Sequence, residues 1–213
     1  MEKKKSANEA QGAIPSPFGV GGSAMDLYHD AMDLLSGGGI ENGIRALQLL
    51  EKAYKLEPES VEIQTGYIGA YTVLGIHAST RSHIELAYAM TRQAFPKWPK
   101  HLEWGFLENR SYLRAIQYRA EQHWDDGEKD LALELYRLLL RLNPNDNQGV
   151  RYAVAAIHAG MTGEELEMLW DKVNGEAREG ALGRKANDEQ KHHLVEDLLN
   201  DQNQHHHFWS EPD

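Results

Sequence analysis

Arg110 and Arg114 stand four residues apart, a spacing that places both side chains on one face of a helix. A guanidinium is planar, permanently charged and able to hold a carboxylate through two parallel hydrogen bonds. The chemistry such a pair offers is recognition of an anion, not the making or breaking of bonds. Other reactive residue types are arranged less usefully. The chain has no cysteine, which excludes disulfides, thiolate catalysis and Cys-based zinc sites. Histidines gather near the C-terminus as His192-His193 and His205-His206-His207. Adjacent positions on a helix face different directions, and no His-Glu-x-x-His segment exists, so no metal site is expected. Asp125-Asp126 reads as a solvated turn. No serine lies in a nucleophile elbow, and Gly37-Gly38-Gly39 lacks the Lys-Ser/Thr that completes a phosphate loop. The sequence therefore predicts no enzyme, no cofactor and no metal.

Composition narrows the partners. The 213 residues carry a net charge of -11, which argues against nonspecific binding to nucleic acid or an anionic membrane. No apolar run approaches the roughly 20 residues needed to span a bilayer. Met1-Glu2-Lys3-Lys4-Lys5 is followed by polar residues rather than the apolar run of a signal peptide, so a cytoplasmic location is expected.

The elements that must position the arginines read as helix pairs. Residues 1–23 are rich in Lys, Gly, Ser and Pro and are expected to form a mobile tail, with Ser23 available as a helix cap. A first pair runs from about Ala24 to Glu57. Leu27, Tyr28, Ala31, Leu34 and Leu35 lie at helical spacing, the three glycines stop that helix, and Asn42-Gly43 continues the loop. A second pair runs from about Ser60 to Phe95, with Gly66, Gly69 and Ala70 giving a small-residue face for close helix approach. A long helix, His101 to His123, is expected next, with a break near Asn109-Arg110-Ser111. It pairs with Leu131–Leu142 across the turn His123–Gly127. A fourth pair starts with Asp146 as N-cap, ends its first helix at Gly160 and opens its second with Thr162 and Glu165, a capping-box pattern. A polar stretch follows Asn174-Gly175, and Asp188–Asn200 reads as a terminal amphipathic helix. Residues 203–213 are expected to form a second flexible tail. Trp104, Trp124 and Trp170 are expected to anchor helices to one another. Asn143-Pro144-Asn145-Asp146-Asn147 reads as the stop of one helix and the start of the next.

Spacing recurs between the pairs. Ala46, Ala87 and Ala132 precede Pro58, Pro99 and Pro144 by twelve residues each. The segment Leu113–Asp146, with Ala132, Tyr136, Leu139 and Pro144, resembles a tetratricopeptide repeat unit of 34 residues. Trp104-Gly105, Glu108–Ala115 and Leu142–Tyr152 are further similar to a bacterial group of tetratricopeptide proteins whose repeats resemble those of the suppressor-of-tumorigenicity 7 family. Ser111 stands where members often read proline. The resemblance implies an all-α fold: a right-handed helical solenoid of about four irregular hairpins over 24–175, with a linker and C-terminal capping helix over 176–202.

In such arrays the first helix of each pair lines a concave groove. That mapping implies a peptide-binding surface made of Arg110, Arg114, Gln117, Tyr118, Glu121, Gln148, Arg151 and Tyr152, with Arg119 on the flank. Two readings of the arginines stand. In one, Arg110, Arg114 and Arg151 hold an acidic side chain or a C-terminal carboxylate of a peptide, with Tyr118 and Tyr152 packing beside it. In the other they pair internally with Glu108, Glu121 or Asp146 and only orient the helices. The implied function is a protein- or peptide-binding scaffold. The alternatives are an oligomerisation or assembly subunit, or a small-ligand receptor or enzyme on a helical scaffold. Neither the partner nor the oligomeric state follows from the residues.

Overall fold

The computed structural model describes residues 22–179. Among them are eight α-helices and no strand: α1 Ala24–Ser36, α2 Ile40–Leu56, α3 Val61–Val73, α4 His77–Ala94, α5 Leu107–Asp125, α6 Lys129–Leu142, α7 Val150–His158 and α8 Gly163–Glu179. None of these helices is long and apolar enough to cross a membrane. The expected tails, the helix Asp188–Asn200 and the histidine clusters at 192–193 and 205–207 lie outside the described residues.

Capping residues set the starts of three helices. The Ser23 hydroxyl accepts from the Asp26 amide, and the Asp26 carboxylate accepts from the Ser23 amide, a reciprocal box. Ser60 accepts from the Ile63 amide at 3.3 Å. Thr162 and Glu165 form the expected capping box, at 3.2 and 2.7 Å. Asp146 also caps, but from outside the helix. α7 begins only at Val150, after Gly149 in the left-handed region at φ 68°, and the Asp146 carboxylate reaches forward to the amides of Val150 and Arg151.

α2, α4 and α6 end alike. Their terminal caps Glu57, Phe95 and Asn143 have φ/ψ of -137/78°, -123/75° and -133/78°. Each cap amide donates to the carbonyl four residues back. Each precedes a proline, whose ring disfavours helical backbone in the residue before it. In the middle pair the stop is Pro96, three residues before Pro99. Counting twelve back from the terminating proline therefore gives Ala46, Ile84 and Ala132 rather than Ala87 in the middle position. All four residues are buried, the three alanines completely.

The structure departs from the sequence reading at three other places. Asn42-Gly43 lies inside α2, not in a loop. The Asn42 side chain donates to the Gly38 carbonyl at 2.9 Å, and a Cβ on Gly43 would sit 3.0 Å from the Leu74 side chain, so the glycine lets α2 approach the end of α3. Residues 101–106 are not helical, and α5 begins at Leu107 and runs unbroken through Ser111. The polar groups of that segment find partners elsewhere: the Leu102 amide donates to the Leu142 carbonyl at 2.7 Å, and the carbonyls of Glu103 and Trp104 accept from the side chains of Asn109 and Arg110. Finally, α8 continues past Asn174-Gly175 to Glu179. One helical glycine costs only about 1 kcal/mol against alanine, and Glu176-Ala177-Arg178-Glu179 are good helix formers.

Consecutive helices pack on one another, and α1, α3 and α5 also touch in series. Two apolar cores result. One joins α1, α2 and α3 through Leu27, Tyr28, Leu49, Leu50 and Ile63. The other joins α5 to α8 through Leu113, Ile116, Trp124, Tyr136, Leu139, Tyr152 and Val173. Between them lies a small layer of Val61, Ile68, Ile84, Ala87 and Ala115. The small-residue face of α3 brings helices close, as its composition suggests. A Cβ on Gly66 would stand 2.6 Å from Leu50 Cδ2 and 3.2 Å from Tyr28 Cε2. Leu50 is fully buried, so it has no room to retreat. Gly66→Val should therefore lower the unfolding free energy by about 2–3 kcal/mol through overpacking, measured by urea denaturation. An unchanged midpoint would show that α1, α2 and α3 do not close this tightly.

Candidate binding groove

The row of α1, α3 and α5 leaves an open groove of about 1130 Å³. Met25, Tyr28, His29 and Met32 of α1 form one wall, and Leu107, Glu108, Arg110, Ser111 and Arg114 of α5 form the other. The α2–α3 turn, Glu57-Pro58-Glu59-Ser60, and Glu62 of α3 close its base. The floor is tied across helices. Ser111, buried in α5, donates to Glu62 Oε1 at 2.9 Å, and Ser60 donates to Glu62 Oε2 at 3.3 Å. Both carboxylate oxygens of Glu62 are thus engaged in holding α3 against α5.

The two arginines are set by the non-helical segment before α5. Trp104 places its indole beneath them, with the guanidinium carbons of Arg110 and Arg114 at 5.3 and 5.4 Å from the ring centroid. At that range the ring's electron-rich face attracts a cation. Arg110 is further fixed by its Nε, which donates to the Trp104 carbonyl at 3.0 Å. Among the described residues, no carboxylate forms a salt bridge with either guanidinium. The Trp104 ring holds both cations on one side of it while, among the described residues, no carboxylate takes their terminal Nη groups, which suits bidentate binding of an anion. Trp104 is therefore more than the packing anchor expected from sequence: it orients the two cations.

The remaining residues mapped to the groove lie elsewhere or serve the fold. Arg151 pairs with Asp146, Nε to Oδ2 at 2.8 Å. The Asp146 side chain is only 2% exposed, and its backbone has the positive φ of 47°. Internal pairing thus describes Arg151. Gln148 donates to Gln117 Oε1 at 2.5 Å, and Gln117 donates to Glu121 Oε1 at 2.9 Å. This chain of side chains links the α6–α7 loop to α5. Tyr152 is buried edge-on to Trp170, centroids 5.3 Å apart. Tyr118 packs on the layer between the cores. Arg119 bonds Gln122 at 2.6 Å and approaches Glu85 at 3.7 Å. Of the eight mapped residues, only Arg110 and Arg114 line the groove.

The α1 wall is not apparent as a binding surface from sequence, although Met25, Tyr28 and Met32 recur at i, i+3 and i+7. Tyr28 reads as a core residue, and it is indeed buried, while the methionines carry no signal of their own. Also unforeseen is a stack in which His83 lies parallel to Tyr67 and Tyr71, at 4.6 and 5.3 Å, with its Nδ1 2.8 Å from Gln64 Oε1. Burial holds the His83 pKa below its ordinary value, so the ring packs as a neutral plate. Of Asp125-Asp126, expected as a solvated turn, Asp125 is the last residue of α5 and Asp126 is its cap, which receives both Nη groups of Arg81 at 3.0 and 2.6 Å. Trp124 and Trp170 pack between helices as expected. Among the described residues no group of His, Cys, Asp or Glu is gathered to hold a metal ion. No family model, no curated protein and no solved structure matches the chain.

Glu121 is the most perturbed carboxyl near this surface. Burial pushes its pKa up to about 7; the Gln117 hydrogen bond opposes the rise and neighbouring Asp125 adds to it. In the unfolded chain the group titrates near its ordinary value of 4.5. The folded state therefore holds the extra proton between those values, and this contribution to stability is lost as pH rises from about 4.5 through 7. Glu121→Gln keeps an acceptor for Gln117 and removes the charge. The variant should be about 1–2 kcal/mol more stable than the wild type at pH 8 and close to it at pH 4.5, as read from thermal or urea unfolding at the two pH values. Equal stability at pH 8 would mean that the carboxylate is well solvated.

Proposed function

We propose that the chain is a scaffold that binds a protein or peptide segment in the groove between α1, α3 and α5, and that Arg110 and Arg114 hold a carboxylate of that partner. The observation that carries this is the pair of guanidiniums held over the Trp104 ring with no salt-bridging carboxylate among the described residues. Groups held in place before binding lose little freedom when a ligand arrives. We further propose that the helix pairs are tetratricopeptide-like repeats stacked as a right-handed solenoid. The matching ends of α2, α4 and α6 support that reading, as do the fully buried Ala46 and Ala132, each twelve residues before the proline that ends its helix. The role is recognition rather than catalysis.

A second role, assembly with another copy, is favoured by Ile40 and Ile44, which lie one turn apart on α2 and are 68% and 49% exposed. Sedimentation across a concentration series separates the two: a 24.1 kDa species that persists at high concentration ends the assembly reading.

For the groove, the test is selection of a random peptide pool with free C-termini on the wild-type chain. Bound peptides should lose about tenfold or more in affinity for the Arg110→Ala/Arg114→Ala variant, a cost typical of anchoring residues. Arg114→Lys, which keeps the charge and loses the fork, should fall between. Peptides that bind the double variant as tightly as the wild type would overturn the assignment.

A further inference from the structure

The groove's two walls are matched in length and different in chemistry. Met25, Tyr28 and Met32 form a soft apolar stripe on α1 at i, i+3 and i+7. Leu107, Arg110 and Arg114 repeat the same spacing on α5. Each stripe covers about 10 Å of helix, enough for roughly three residues of an extended peptide. Methionine is flexible and polarisable, and it accommodates varied apolar side chains. Leu107 is 70% exposed and its neighbour Phe106 57%, so the apolar surface continues to the lip of the α5 wall.

Charge divides the groove further. Four carboxylates line it, Glu57, Glu59, Glu62 and Glu108, against two guanidiniums. Glu62 is engaged by Ser60 and Ser111. Glu57, Glu59 and Glu108 are exposed, and among the described residues no cation forms a salt bridge with them. A segment acidic along its length would meet these charges at close range, and like charges set against each other across an interface disfavour binding. A segment with one carboxylate satisfies the arginines without that repulsion, and a basic residue preceding it finds the Glu57-Pro58-Glu59 turn. The chain's net charge of -11 likewise favours a positively charged partner.

Resting on the groove assignment above, we propose that the partner is the C-terminal segment of a polypeptide: terminal carboxylate on Arg110 and Arg114, apolar side chains against Met25, Tyr28 and Met32, and lysine or arginine upstream against Glu57 and Glu59. The occupant is thus basic and apolar, not acidic.

The probe is the random peptide pool with free C-termini, read by sequencing what the wild-type chain retains. Retained peptides should be enriched in Lys and Arg upstream of apolar terminal residues and depleted in Asp and Glu. A synthetic peptide of that composition should lose about tenfold in affinity when its upstream basic residues are replaced by Glu. It should lose a similar factor when its C-terminus is amidated. Glu57→Lys/Glu59→Lys, two exposed turn positions, should reverse the upstream preference while sparing the amidation effect. Retained peptides that are acidic, or indifferent in charge, yet still need Arg110 and Arg114 would overturn this inference and leave the groove assignment standing. A pool with no enrichment, or one unaffected by Arg110→Ala/Arg114→Ala, would overturn both.

Discussion

A pair of helices cannot bury both of its apolar faces by itself, and the rest of this structure depends on how neighbouring pairs cover one another. α1 and α2 hide their inner faces from water only because Gly66 lets α3 come within contact of Leu50 and Tyr28. The Ser111–Glu62 hydrogen bond carries the same closeness from α3 to α5. Once α1, α3 and α5 form one row, the open side of that row is a groove. Its contents follow from which residues each helix has left over after packing: methionines on α1, arginines on α5 and glutamates in the turn between α2 and α3.

The placement of the arginines shows how much a short irregular segment can contribute. Had residues 101–106 continued α5 backwards, Trp104 would be one more helical residue beneath Arg110 in sequence. Instead the Leu102 amide anchors the segment to the end of α6, and Leu102 itself is buried. The chain then turns at Trp104 and Gly105, and the indole faces two guanidiniums from the following two turns of helix. Order is imposed without neutralising the charge, which is the difference between Arg110 or Arg114 and Arg151. Arg151 is equally ordered, but by a carboxylate that consumes it.

Helix existence and pairing are legible in the sequence because they rest on periodicity and on local stop signals. Ser23 and the Thr162–Glu165 box act where their types and positions predict, and the prolines end α2 and α6 as their spacing suggests. The departures share a cause. Asn42-Gly43 reads as a turn by local preference, but burial against Leu74 rewards a helical glycine there. The 101–106 segment reads as helix, but its polar groups are satisfied by residues from α5 and α6 that local pattern does not reveal. The candidate site is half legible for the same reason. A spacing of four puts Arg110 and Arg114 on one face and names Asp146 among the possible internal partners, whereas only the left-handed turn at Asp146 decides that Arg151 is the arginine it takes. The facing α1 wall is far away along the chain, beyond any reading of local pattern.

The thin layer of Val61, Ile68, Ile84, Ala87 and Ala115 has a mechanical consequence. The α1 wall is rooted in one core and the α5 wall in the other, and the two meet along a layer of only five buried apolar residues, two of them alanine. The width of the mouth is therefore set by a thinner apolar contact than the one that holds either wall to its own core, and the Ser111–Glu62 hydrogen bond is the polar tie across it.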